Sequence, residues 1–419
     1  MAQRRKRADQ PGTRVTLQDV ADRAGVSLST ASRVVNEGSR AVGQALAERV
    51  RKAVAELGYT ADLQARAVAT GHSALVGVIV HDISDPYFSS IASGVIEVAR
   101  SRQLLACMSS IPAARGGAVT GGGVAHSAVA EAAEQDYVAL MQAQRARAVI
   151  LIGSRSDDTA ATEALRAEVA AFTAAGGRAA CVGQDRLGID TVLPENRVGA
   201  EALAKALAAQ GHRSFAVLAG PRGLLTARDR LDGFRDGLAA WSVALDPARV
   251  VHCPFSRDGG YEGMSAILAA GLPLPDCVFA VTDVMAVGAL ARLRAAGLAV
   301  PERVAVAGFD DISTLRDVYP PLTTVRLPLK RMGEIAAGLV LGAPVAGGLD
   351  EPGRARMADT SPARVLPVPG EVILRESTTR QPPQLPPLLP GAPFPPLHPL
   401  RVTSRSASVR SNWKALAGM

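Results

Sequence analysis

The sequence predicts a small all-α helix-turn-helix headpiece followed by an α/β core of two parallel-sheet subdomains. Three observations carry this. Val15–Asn36, reading VTLQDVADRAGVSLSTASRVVN, has the spacing of two short helices about a sharp turn. From Ser73 onward, short apolar runs alternate with helical stretches, the rhythm of βα units that form parallel sheets with helices on both faces. Positive charge gathers near the first feature. Residues 1–60 hold 11 Lys/Arg against 6 Asp/Glu, whereas residues 73–380 carry a net −2 out of +7 overall. A basic head on a near-neutral body fits nucleic-acid binding at one end.

In the headpiece, Val20, Ala21 and Ala24 fall on one face of a first helix. Gly25 stands where the chain turns, a conformation glycine adopts at low cost. Ser27 is placed to cap a second helix, whose inner face is Ala31, Val34 and Val35. Leu28, Ser29, Thr30, Ser32, Arg33 and Asn36 remain for its outer sides, available to phosphates and base edges of duplex DNA. Arg33 is the leading candidate, since a planar guanidinium can grip phosphate or read guanine. Thr30, Ser32 and Asn36 suit phosphate positioning, and Thr16 and Ser27 combine capping with phosphate contact. Ala45–Leu57 reads as a third helix, with Leu46, Val50, Val54 and Leu57 on one side and Gly58 as its stop. Residues 1–14, with Arg4, Arg5, Lys6, Arg7 and Arg14, read as a basic disordered arm.

The helix-turn-helix, Glu48-Arg49-Val50, Glu56-Leu57-Gly58-Tyr59, Val76–Val80, Asp82–Phe88, Gly308–Asp311 and Pro320–Val325 together resemble the LacI/GalR family of bacterial transcription regulators. The resemblance runs from Val15 to Thr378, apart from two insertions. It implies a headpiece over 15–60, a hinge segment over 61–72 and a periplasmic-binding-protein-like core over 73–380. It also implies a homodimer on double-stranded operator DNA, controlled by a small-molecule effector. Leu28 and Ser29 occupy the family's operator-selecting positions, and Val68 stands where a hinge residue wedges into the minor groove. Gly43–Ala47 replaces the family's Ser-Pro-Glu-Thr-Arg, which weakens the cap of the third helix and removes a phosphate-holding arginine.

Within the core, Leu75–Val80, Leu104–Met108, Ala148–Ile152 and Arg178–Val182 read as strands of the first half. Ser214–Leu218, Val250–Cys253, Val278–Val281 and Val304–Ala307 read as strands of the second. Helices are expected near Tyr87–Arg100, Ser127–Ala143 and Thr159–Ala174. The first subdomain should span about 73–192 plus 327–342, the second about 193–325 plus 371–375. A ligand would then sit between them at the strands' carboxyl ends. The family's pocket maps onto Asp82, Tyr87 and Phe88, onto Arg230, and onto Asp283 and Asp310, with Phe255 as a stacking ring. Carboxylates, an arginine and aromatic faces suit a polyhydroxylated ligand, a sugar or sugar derivative. The alternative is that Asp283 and Asp310 cap the helices that follow them, and one residue can do both.

Other classes fit less of the chain. A solute-binding protein explains the core but not the headpiece. A sugar-processing enzyme would need paired acids at a set separation, and no Gly-x-Ser-x-Gly element or His/Glu metal cluster accompanies them. No catalytic residue, cofactor or metal is therefore expected. Four dispersed cysteines suggest neither disulfides nor zinc, and no apolar run reaches the length of a membrane span, so a cytoplasmic protein is expected. The Gly-rich insertion near 112–125 and the stretch 342–369 read as loops. Nine prolines within 381–400 make 381–419 an extended or disordered tail.

Overall fold

The structure is a computed structural model that describes residues 15–35, 42–60, 73–111, 123–342 and 362–379. The expectations for the basic arm, Asn36, the hinge segment with Val68, the centre of the Gly-rich insertion and the Pro-rich tail lie outside these residues.

The headpiece is three helices: α1 (Leu17–Ala24), α2 (Leu28–Val35) and α3 (Gln44–Leu57). Thr16 and Asp19 form a reciprocal capping box at the start of α1, and Gly25 ends it at φ 64°. Val20, Ala21, Ala24, Ala31, Val50 and Ala53 form a small core of their own. Gly43 offers α3 no side-chain cap, as its sequence implies, and Gly58 closes that helix at φ 60°.

The core begins with β1 (Leu75–Val80), α4 (Pro86–Ser101), β2 (Leu105–Ser110), α5 (Gly123–Ala143), β3 (Ala148–Ile152), α6 (Thr159–Ala174), β4 (Arg178–Val182) and β5 (Asp190–Pro194). It continues through α7 (Asn196–Ala209), β6 (Phe215–Leu218), α8 (Leu225–Ala239), β7 (Val250–Val251), α9 (Arg257–Ala269), β8 (Cys277–Ala280), α10 (Asp283–Ala295) and β9 (Ala305–Ala307). The last elements are β10 (Thr324–Arg326), α11 (Leu329–Leu341), β11 (Val365–Val368) and β12 (Glu371–Ile373). One sheet has the order β11-β5-β4-β3-β1-β2, the other β7-β6-β8-β9, and β10 pairs with β12. Every ladder in the two larger sheets is parallel. The Ala148–Ile152 run is apolar at every position because β3 is buried on both faces.

The chain passes between the sheets at 194–196, 326–329 and 368–371. Helix α11 thereby returns to the first sheet, where it crosses α4 backbone to backbone. A Cβ on Gly94 would run into the Lys330 carbonyl, and one on Gly333 into the Ile91 carbonyl.

The structure corrects several expectations. Residues 342–369 are not loop throughout, since Val365–Val368 is an edge strand parallel to β5. Its Pro367 disguises it in the sequence, yet an edge strand tolerates proline on its unpaired side. Strand β5 itself was not foreseen, because Asp190, Thr191 and Pro194 break the apolar pattern. Strand β2 is shifted to 105–110 and is only partly covered, with Leu105 64% exposed at the sheet edge. Strand β7 shrinks to Val250–Val251.

Candidate functional site

On the headpiece, the outer side of α2 is free of packing. Leu28, Ser29 and Arg33 are exposed, while Thr30 and Ser32 are half-buried. Leu28 exposes 46% of its surface, which leaves an apolar group facing outward beside polar ones. The Ser27 hydroxyl accepts from the Thr30 N–H at 3.2 Å and shares hydrogen bonds with the Ser29 and Thr30 hydroxyls. Thr16, also exposed, is held in its capping box. Arg49 went unnoticed as a structural group. From α3 its guanidinium donates to the carbonyls of Ala24 and Gly25, at 2.5 and 3.2 Å, which satisfies the open carbonyl end of α1 at the turn.

The second candidate is the cleft between the subdomains. The residues singled out for it lie just past the carboxyl ends of strands: Asp82, Tyr87 and Phe88 after β1, Asp283 after β8, and Asp310 after β9. Asp82 accepts from the N–H and hydroxyl of Ser84, forming a turn. Asp85 caps α4 by accepting from the Tyr87 N–H at 2.9 Å. Tyr87 and Phe88 meet edge to face at 5.1 Å, and His81 lies 5.9 Å from Phe88. Phe255 rests on Gly220, a glycine at φ 72° whose missing Cβ makes the contact possible.

Arg230 is fully buried at the hub of the second wall. Its Nε donates to Asn196 at 2.9 Å, one terminal nitrogen to the Val281 carbonyl at 2.6 Å, and the other to Asp310 at 2.7 Å. Its guanidinium lies 3.9 Å above the Phe309 ring. Asp310 sits at φ 118°, a strained backbone for a residue with a Cβ, and it is fastened by that ion pair. Burial pushes its carboxyl above the usual range, against the pull of Arg230 and with Asp283 adding to the rise.

Asp283 departs from its expected role. One oxygen accepts from the Thr324 hydroxyl at 2.7 Å, the other from the Ile312 N–H at 3.0 Å, and the residue is wholly buried. It braces β10 and the chain after Asp310 instead of presenting a free acceptor or capping its own helix.

Two features of the cleft have no sequence signature. Arg155 and Glu134 form a fully buried, two-pronged ion pair, and His81 Nε2 lies 3.1 Å from Oε1 of Glu134, the oxygen that also accepts from one Arg155 terminal nitrogen at 2.7 Å. Nearby, buried Glu131 accepts from the Ser156 N–H and the Thr162 hydroxyl. The loop that carries Arg155 also joins the subdomains through main-chain bonds. Asp157 N–H donates to the Gly223 carbonyl at 2.9 Å, and Leu225 N–H to the Arg155 carbonyl at 3.0 Å. Thr226 adds bonds to the Ser154 hydroxyl and to Gln184. A separate cavity of about 480 Å³ lies by Asp311, Arg316, Arg326 and Arg375. Two of its arginines are already paired with Asp311.

Asp85 allows a clean test of cleft electrostatics. Burial lifts its carboxyl to about 6, partly opposed by the Tyr87 N–H bond. A raised carboxyl favours the fold at low pH, and that contribution is lost as pH climbs from about 4 through 6. Asparagine keeps the helix cap without the charge. Asp85→Asn is therefore expected to gain about 1–3 kcal/mol over the parent at pH 7.5 and nothing at pH 4. Urea unfolding at both pH values checks this; an equal gain at each would refute the account.

A three-helix module with an unpacked recognition face, joined in one chain to a cleft between two parallel-sheet subdomains, defines the class of ligand-responsive DNA-binding regulators. Comparison with known proteins gives the family. Residues 16–62 match the model "Bacterial regulatory proteins, lacI family", and residues 204–378 match "Periplasmic binding protein-like domain". The transcriptional repressor CytR of Escherichia coli K12 is 32% identical over 335 residues, covering 80% of this chain and 91% of that protein. The ribose operon repressor of Haemophilus influenzae is 28% identical over 78% of this chain and 91% of its own length. The solved lac repressor dimer, bound to operator and an anti-inducer, superposes with TM-score 0.68 at 26% identity, covering 88% of this chain and all of that one. A CelR–cellobiose complex matches with TM-score 0.57 at 27% identity, over 87% and 100% of the two chains. The chain belongs to the lacI family of bacterial regulatory proteins. It is a DNA-binding transcriptional regulator, not an enzyme. Among the described residues no helix is long and apolar enough to cross a membrane.

Proposed function

We propose that the protein is a homodimeric, cytoplasmic repressor whose two headpieces read a pseudo-palindromic operator and whose cleft takes a small carbohydrate effector. The observation that carries this is the unpacked outer face of α2, with Leu28, Ser29 and Arg33 exposed on a module that buries its own core. Arg33 reads a base edge or phosphate, Leu28 and Ser29 select the operator, and Thr16, Ser27, Thr30, Ser32 and Asn36 position phosphates. Val68 wedges into the minor groove between the two half-sites. The cleft offers a polyol the carboxylates of Asp82 and Asp310 to accept from its hydroxyls and aromatic rings to cover its C–H faces, while Asp283 stays engaged with Thr324 and Ile312. Similarity to a ribose operon repressor and to a cellobiose-bound regulator supports that ligand class. Effector and operator share one coupling free energy, so each alters the affinity for the other by the same factor.

Selection of binding sites from randomised duplexes with the full-length protein tests the operator half. One enriched, two-fold symmetric site is expected, and no enrichment in the presence or absence of sugars would remove the proposal. Arg33→Ala is expected to weaken binding to that site by about 1–3 kcal/mol while sparing random DNA. An equal loss on both would make Arg33 a phosphate contact.

A further inference from the structure

We infer that the cleft is built for an effector without negative charge, a free sugar or nucleoside rather than a phosphorylated or carboxylated one. This rests on the proposal that the cleft is the effector site. It goes beyond that proposal because hydroxyl-rich ligands come in both charged and uncharged forms.

The buried donors that an oxyanion would need are already committed. Two arginines are buried among the described residues, Arg155 and Arg230. Arg155 is committed to Glu134, and Arg230 to Asn196, the Val281 carbonyl and Asp310. A helix N-terminus is the other common anion site. The first amides of α8 are already spent across the cleft, Leu225 N–H on the Arg155 carbonyl and Thr226 N–H on the Ser154 hydroxyl. That of α4 holds its own carboxylate, Asp85. Helix α10 carries Asp283 in its first turn, and the Asp283 N–H is bonded to the Phe309 carbonyl.

Carboxyl groups also outnumber cations around Arg230. Asp82 and Asp85 lie on one wall, and Asp310, with Asp283 behind it, on the other. Arg230 neutralises one of these carboxylates. Burial pushes the Asp85 and Asp310 carboxyls up, and the neighbouring Asp82 and Asp283 add to the rise, so a further negative group is disfavoured beside them. A ligand bearing hydroxyl or amino donors would relieve this field, whereas an anion would add to it.

Two measurements on the full-length protein decide the matter. The first is calorimetric titration with matched pairs: ribose and ribose 5-phosphate, glucose and glucose 6-phosphate, uridine and its 5′-monophosphate. The uncharged member of any pair that binds is expected to bind roughly 100-fold more tightly than its phosphorylated partner. A phosphorylated member that binds as well or better overturns the inference. The second is hydrogen exchange with 20 mM orthophosphate against sodium chloride of equal ionic strength. Peptides covering 82–88, 225–234 and 308–312 are expected to show no added protection, and protection there overturns the inference. If no sugar or nucleoside binds, the carbohydrate proposal fails by itself, while the orthophosphate experiment still decides whether the cleft accepts anions.

Discussion

Glu134→Ala is expected to destabilise the protein by about 3–5 kcal/mol, the cost of leaving a buried charge without its partner. Arg155 would then be a guanidinium with no solvent exposure and no bonded carboxylate, with only Glu131, held by Ser156 and Thr162, left near it. Desolvation alone would raise the Glu134 carboxyl, but Arg155 and His81 outweigh it and hold the group at about 2. The carboxylate is therefore ionised at neutral pH. Removing both charges together should be far milder, because well-packed apolar groups of similar volume often replace a buried pair without loss. Glu134→Leu combined with Arg155→Met is thus expected to be more stable than Glu134→Ala. Urea midpoints of the parent and these variants provide the check. A single variant within 1 kcal/mol of the parent would show that the pair is not the anchor of its loop.

Arg230→Ala is the second large effect, again about 3–5 kcal/mol. It removes the partner of Asp310, a donor to Asn196 and Val281, and the cation over Phe309. The sign of its pH dependence follows from Asp310. With the guanidinium gone, that carboxyl should stay protonated beyond the value of about 8 it has beside Arg230, so a constant deficit from the lost bonds to Asn196 and Val281 should be joined by a further one only as pH rises through about 8. Arg230→Lys is expected to recover only part of the loss, since one ammonium cannot reproduce a planar fork bonded in three directions. Thermal melting at pH 6 and pH 9.5 measures this. A deficit independent of pH would mean that Asp310 is not the group left stranded. Loss of response to an effector in this variant would accordingly have two sources, a missing contact and a loosened wall.

Much of the architecture can be read directly from the chain. The headpiece is legible because its helices carry local punctuation: the Thr16–Asp19 box, Gly25 and Gly58. Helix α6 was anticipated at its observed limits, Thr159–Ala174, and Asp158 caps it through its side chain. Strands buried on both faces, such as β3, stand out as apolar runs. What was missed depends on neighbours distant in sequence. Strand β11 is a strand because β5 lies beside it, and neither has a pattern that survives its prolines. Asp283 looks like a free acceptor until β10, 41 residues later, brings Thr324 to it. The Arg155–Glu134 pair spans 21 residues and two elements, and nothing local marks either side chain as a member. The main-chain bonds between 154–157 and 223–226 are invisible for a different reason, since amides and carbonyls are the same in every residue.

That last feature bears on how such a molecule can change its diet. The clasp between Asp157 and Gly223, and between Leu225 and Arg155, is written in backbone and is blind to side-chain identity. Short of a proline at 157 or 225, no substitution at 155, 157, 223 or 225 removes one of its donors or acceptors. The residues around the cavity are thus free to drift toward new cargo while both jaws keep their alignment.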